Sequence, residues 1–141
     1  MSHCLENNNI GNDGALRLAT ALVSLSFIET LNLSQNTIGD SGVKSLSATL
    51  INLPRLDRLS LHSNIICDGG AKSLAAVLPQ TSALTELDVR YNRLSEAGAQ
   101  SLANSLKQCV RMKSLRMWCK RIPYGVFERL QQQDHRIMDT F

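Results

Sequence analysis

His62 and Cys67 stand five residues apart, and His3 adjoins Cys4. Histidine with cysteine is the start of a zinc ligand set. Glu86 and Asp88 have the spacing of a carboxylate pair on one face of a strand, the raw material of acid–base chemistry. Each chemistry lacks a part. A zinc site needs about four converging ligands, and Cys67 falls beyond the segment that presents His62, so no metal is expected. Glu86 and Asp88 have neither a nucleophile nor an orienting group nearby in the pattern and read as surface charge, with Asp88 placed to pair with Arg90. The glycines are followed by no Lys-Ser/Thr at phosphate-loop spacing. The sequence therefore predicts a protein that is not an enzyme, with no cofactor and no small-molecule substrate.

What positions these side chains is a repeat. "LNLSQNTIGDSGVKSL" (31–46) alternates apolar and polar residues in its first half and spaces Val43 and Leu46 as a helix does in its second. "LSLHSNIICDGGAKSL" from Leu59 and "LDVRYNRLSEAGAQSL" from Leu87 make the same switch. Asn36, Asn64 and Asn92 are spaced 28 apart, and the same step backwards reaches Asn8. Gly14, Gly42, Gly70 and Gly98 keep that interval, as do Leu31, Leu59, Leu87 and Leu115. So many columns in phase make an internal repeat.

The pattern "LxxLxLxxNxI" followed by "GxxxLxxxL" resembles the leucine-rich repeat of the ribonuclease-inhibitor type, also seen in NOD-like receptors and Ran GTPase-activating proteins. The copies read "IETLNLSQNTI", "LDRLSLHSNII" and "LTELDVRYNRL", with a degenerate "MKSLRMWCKRI" after them. The resemblance covers roughly residues 5 to 130. It implies an α/β, right-handed leucine-rich repeat solenoid: a horseshoe segment of about four 28-residue units plus a C-terminal cap, with a parallel concave sheet and convex helices. Stacking explains this independently, because each strand–helix unit can bury its apolar side only against its neighbour. Helices are wider than strands, so the stack curves with the sheet inside.

Residues 1–141 are expected to form a single domain, with repeats at 3–28, 29–56, 57–84 and 85–112 and a degenerate repeat plus cap at 113–141. Asn8, Asn36, Asn64 and Asn92 fall where the strand turns away and are assigned to a structural asparagine ladder that satisfies backbone groups in the turns. Asn12, Asp40 and Asp68 stand two before a glycine, where each is expected to cap the helix that follows it. Pro123 opens a last helix with Phe127 and Leu130 on its apolar face; Ile137, Met138 and Phe141 are expected to seal the end. At the other end no helix precedes the first strand, which suggests a truncated product, a short isoform, or a face that meets another molecule, self-association through the uncapped N-terminal repeat included.

Alternate strand positions face outward on the concave side. They are Cys4 and Glu6; Thr30, Asn32, Ser34 and Gln35; Arg58, Ser60, His62 and Ser63; Glu86, Asp88, Arg90 and Tyr91; Ser114, Arg116, Trp118 and Cys119. The early units offer small polar groups, while the late ones concentrate the residue types that dominate interfaces. His62, Asp88, Arg90, Tyr91, Arg116 and Trp118 are therefore the expected partner-binding residues, with a protein as the partner.

Charge adds a gradient. The net charge is +3, but from Lys107 onward eight basic residues face only Glu128, Asp134 and Asp139. Arg111, Lys113, Arg116, Lys120 and Arg121 support an alternative, polyanion or nucleic-acid binding, against which a solvated edge is the plainer reading. The likeness to Ran GTPase-activating proteins implies a further alternative, an accessory role in GTPase activation, although no residue here matches that family's catalytic arginine. No apolar run reaches the ~18 residues of a membrane span, the start "MSHCLENNN" has no apolar secretory core, and four cysteines form no CxxC pair. A cytoplasmic protein with reduced thiols and no membrane contact is expected.

Overall fold

A computed structural model describes residues 1–138. Five three-residue strands alternate with five helices: β1 (Ser2–Cys4), α1 (Gly11–Leu22), β2 (Thr30–Asn32), α2 (Asp40–Leu50), β3 (Arg58–Ser60), α3 (Asp68–Val77), β4 (Glu86–Asp88), α4 (Glu96–Leu106), β5 (Ser114–Arg116) and α5 (Tyr124–Gln133). The strands form one parallel sheet in the order β1-β2-β3-β4-β5. Every step keeps the sequence period: His3 pairs with Leu31, Leu31 with Leu59, Leu59 with Leu87, and Leu87 with Leu115. This is the leucine-rich-repeat solenoid that the residue spacing implies. Among the described residues no helix is long and apolar enough to cross a membrane.

Strands this short have no stability of their own. Leu31, Leu33, Ile38 and Leu46 of one unit are buried against Leu59, Leu61, Ile66 and Leu74 of the next, and each such side chain contributes about 1.5–3 kcal/mol by leaving water. The columns thin at the N-terminal edge, where His3, Leu5, Ile10 and Leu18 are only half-buried. The His3 Nε2 there is buried with no hydrogen-bond partner among the described residues.

The helix caps are arranged differently from the expectation. Asn12, Asp40 and Asp68 do not cap their own helices; each reaches across to the next unit. Asn12 Oδ1 accepts from the Gly39 and Gly42 amides at 2.8 and 3.0 Å. Asp40 Oδ1 accepts from Cys67 N at 2.8 Å, and Asp68 Oδ1 accepts from Ser95 N and Gly98 N at 2.8 and 3.0 Å. One unit's side-chain oxygen, amide or carboxylate, thus satisfies the orphan amides that open its neighbour's helix. Burial raises the Asp68 carboxyl pKa, but the hydrogen bonds from Ser95 and Gly98 outweigh it and leave the group below its ordinary value. The glycine column follows from the same contact. A Cβ at Gly42 would lie 2.7 Å from Asn12 Oδ1, and one at Gly70 2.8 Å from Asp40 Oδ1.

At the C-terminal end, α5 buries Phe127 and Leu130. The chain then returns to the sheet: Leu115 N donates to Arg136 O at 2.8 Å and Met138 N to Leu115 O at 3.0 Å, which makes Leu115 and Ile137 a parallel bridge. Ile137 is buried and Met138 half-buried; Phe141, expected to join them, lies outside the described residues.

Candidate protein-binding face on the concave sheet

The turn after each strand sets which side chains reach the concave face. Gln35, Ser63 and Tyr91 adopt left-handed φ of +57° to +58°, a rare conformation for residues with a Cβ, and the asparagine that follows swings inward. Asn64 Oδ1 accepts from Asn36 N and Ile38 N at 2.9 and 3.0 Å, while its Nδ2 donates to the Leu61 and Leu33 carbonyls at 2.9 and 3.1 Å. Asn36 and Asn92 repeat the arrangement towards their own neighbours. Asn8 stands apart: it is exposed, its side-chain amide donates to the Glu6 carbonyl, and its backbone N–H is what meets the Asn36 rung.

Cys119, read above as an outward residue, is fully buried. Position 119 falls in the column of Gln35, Ser63 and Tyr91 but does not share their left-handed φ. The turn is one residue tighter, so Cys119 arrives where the asparagine would. Its Sγ lies 3.7 Å from the Val89 carbonyl, the counterpart of the Asn64–Leu33 bond. The amides of Asn92 and Leu94 meet the same sulfur and lower the thiol pKa, but burial is the larger effect and pushes it up. A buried neutral thiol of this kind is a structural part and not a nucleophile. Ser34 is the second outward residue to be corrected. It is buried with its Oγ between Asn32 Oδ1 and the Ser60 Oγ at 2.8 Å.

The parallel register brings the remaining predicted residues together in rows. His62, Arg90 and Trp118 occupy one row, Asp88 and Arg116 the next, because each lies 28 residues from its neighbour in the adjoining unit. His62 Nδ1 lies 3.0 Å from Ser63 Oγ. Arg90 clasps Asp88 with both ends of its guanidinium, Nε to Oδ1 at 3.0 Å and Nη2 to Oδ2 at 2.7 Å. Both side chains are four-fifths buried, and the hydrogen bonds that Arg90 donates to Asp88 raise the Arg90 pKa. Tyr91 and Trp118 meet edge to face with centroids 5.9 Å apart. Trp118 is half-buried against the core, and Tyr91 is 45% exposed. Arg116 makes no ion pair among the described residues. A shallow hollow of about 210 Å³ runs across the sheet between Arg58, Glu86, Asp88, Ser114 and Arg116.

Arg136 escaped the sequence reading because it lies outside the repeat. Its guanidinium donates to the last carbonyl of α4, Leu106 at 2.7 Å, and to Cys109 O in the loop beyond at 2.6 Å, and holds Asp134 at 2.6 Å. That partner keeps the Asp134 carboxyl below its ordinary range. Arg111, Lys113, Lys120 and Arg121 are all exposed, the first two before β5 and the last two after it. All four cysteines are free thiols, and no cluster of His, Cys, Asp or Glu among the described residues would hold a metal.

The fold is one that known proteins share. A model of the leucine-rich repeat matches residues 24–47 and 82–103, which span β2 with most of α2 and β4 with most of α4. Among solved structures, the chain resembles the actin-binding site 2 of leiomodin-1 with a TM-score of 0.79 and 20% identity, over 96% of this chain and 79% of the leiomodin chain. At that identity the likeness establishes the fold. No curated protein sequence matches the chain.

Proposed function

We propose that this protein is a non-enzymatic protein-interaction module of the ribonuclease-inhibitor type of leucine-rich repeat. It would serve a regulatory or scaffolding protein in the cytoplasm and hold a protein partner on the C-terminal half of its concave sheet. The observation that carries this reading is the Tyr91–Trp118 edge-to-face pair beside Asp88, Arg90 and Arg116 on an open parallel sheet. Aromatic rings and arginine are what interfaces use for most of their binding energy, while the remaining concave positions, Thr30, Asn32 and Ser60, are small and polar. His62 borders the same patch from the preceding strand. Leiomodin-1 supports a protein as the class of partner, since its solenoid of this fold is an actin-binding site.

The test is a pull-down from cell extract with the wild-type chain and with Arg116→Ala combined with Trp118→Ala, each shown to be folded by circular dichroism. The proposal expects the specific captured proteins to be lost with the double variant. Capture that survives it would move the binding surface elsewhere on the solenoid.

A further inference from the structure

The concave sheet divides by charge. On its last two strands and the turns that flank them lie Arg90, Arg93, Lys113, Arg116, Lys120 and Arg121, opposed by Glu86 and Asp88. Across the first three strands and their turns acidic groups outnumber basic ones, with Arg55 and Arg58 opposed by Glu6, Glu29 and Asp57. The local pairings sharpen the contrast. Asp88 is spent on Arg90 through two hydrogen bonds in a largely buried pair. Glu86 lies 3.5 Å from Arg58. Next in register to Asp88 stands Arg116, with no ion pair among the described residues, on the wall of the concave hollow. Its planar fork is built to take a carboxylate at two points.

Two residues on from Arg116, Trp118 meets the Tyr91 ring edge to face; that ring is 45% exposed, with the Arg90 guanidinium 5.8 Å from its centroid. Cation and ring together define a two-point site. We infer that the C-terminal half of the concave sheet takes an acidic, extended polypeptide segment: a carboxylate on Arg116, an adjoining apolar or aromatic side chain against Tyr91, and further acidic residues steered by the flanking lysines and arginines. A nucleic acid would also offer phosphate to the fork and bases to the ring, but its continuous phosphate run would meet Glu86 and Asp88 in the same hollow. This inference rests on the concave-sheet reading above and gives its partner a chemistry.

Trp118 is the only tryptophan, so its emission reports on the site directly. The titrants are a short capped glutamate-rich peptide carrying one phenylalanine, the same peptide with glutamine for every glutamate, and a single-stranded oligonucleotide of matching charge. The glutamate peptide should shift and saturate the emission, and its affinity should fall as salt rises. The glutamine peptide should leave the emission unchanged at the same concentrations. Arg116→Gln should weaken the glutamate peptide about tenfold, the loss of one charge-assisted bidentate contact. Arg111→Gln removes the same charge from the α-to-β loop edge and should leave affinity unchanged.

Equal binding of the glutamine peptide, equal weakening by the two arginine variants, or tighter binding of the oligonucleotide would each overturn the inference. If the peptide fails while the Arg116/Trp118 pull-down loses its partner, the acidic chemistry is wrong and the binding face stands. If both experiments fail, the face itself is wrong.

Discussion

The turn after β3 and the turn after β5 have the same task and different parts. Asn64 closes the first with an amide that accepts two backbone N–H groups and donates to carbonyls of two units. Cys119 closes the second with one sulfur, after a turn one residue shorter. The amide is a near-complete hydrogen-bond partner for four orphan groups, whereas sulfur is a weak donor and a weak acceptor. The middle of the solenoid is therefore pinned by polar geometry. The C-terminal unit relies more on burial, on α5 and on the Arg136 clasp. The unit that departs most from the repeat carries two of the candidate binding residues, Arg116 and Trp118, while Asp88, Arg90 and Tyr91 stand on the regular unit beside it.

Replacing the two rungs measures this difference. Asn64→Ala leaves several buried backbone groups without partners and should cost about 3 kcal/mol or more. Cys119→Ala removes a small buried side chain and weak sulfur contacts and should cost about 1 to 2 kcal/mol. Urea midpoints read both. Equal losses would mean that the cysteine turn is as dependent on its rung as the asparagine turn is.

Two glycines extend the contrast to the helices. A Cβ at Gly98 would lie 3.1 Å from that of Ala71 and crowd Asp68, so Gly98→Ala should destabilise by about 2 kcal/mol. A Cβ at Gly125 would meet nothing within 4 Å, and its φ is not left-handed. Gly125→Ala should therefore stabilise by about 0.5 kcal/mol through helix propensity. Melting temperatures that move in the same direction for both would contradict the packing described here.

The smallest expected effect concerns acid. Arg136 holds the Asp134 carboxyl below its ordinary value in the folded chain, so the group stabilises the fold above its unfolded pKa and loses that contribution as pH falls through the lower folded value. Asp134→Asn should be less stable than wild type at neutral pH, with the gap closing as pH drops below about 4. A gap that persists in strong acid would show that Asp134 acts through packing and not through its charge.

Much of this was legible in the residues. The 28-residue columns fixed the strand register, since Leu31, Leu59, Leu87 and Leu115 are paired as their spacing requires. What the columns hid were contacts that leave the period. Cys119 escaped because a strict step lands on Lys120, and only a slip of one residue would have found it. Asp40 and Asp68 were placed at helix starts, but sequence does not say that a side chain will cap the neighbouring unit in preference to its own. Ser34 counted as outward by alternation, yet Asn32 and Ser60 close over it. Arg136 belongs to no repeat and carried no periodic signal. The candidate site was legible as residue types, whereas the Asp88–Arg90 clasp, which leaves Arg116 with no ion pair among the described residues, required coordinates.

The central claim is that partner binding belongs to the last two strands of the concave sheet and not to the first three. The most direct measurement is quantitative capture by two matched double variants, Arg116→Ala with Trp118→Ala and Arg58→Ala with Gln35→Ala, each normalised to folded protein. The first pair should empty the capture, while the second should leave it at the wild-type level. Loss with the Arg58 and Gln35 pair, and retention with the Arg116 and Trp118 pair, would contradict it.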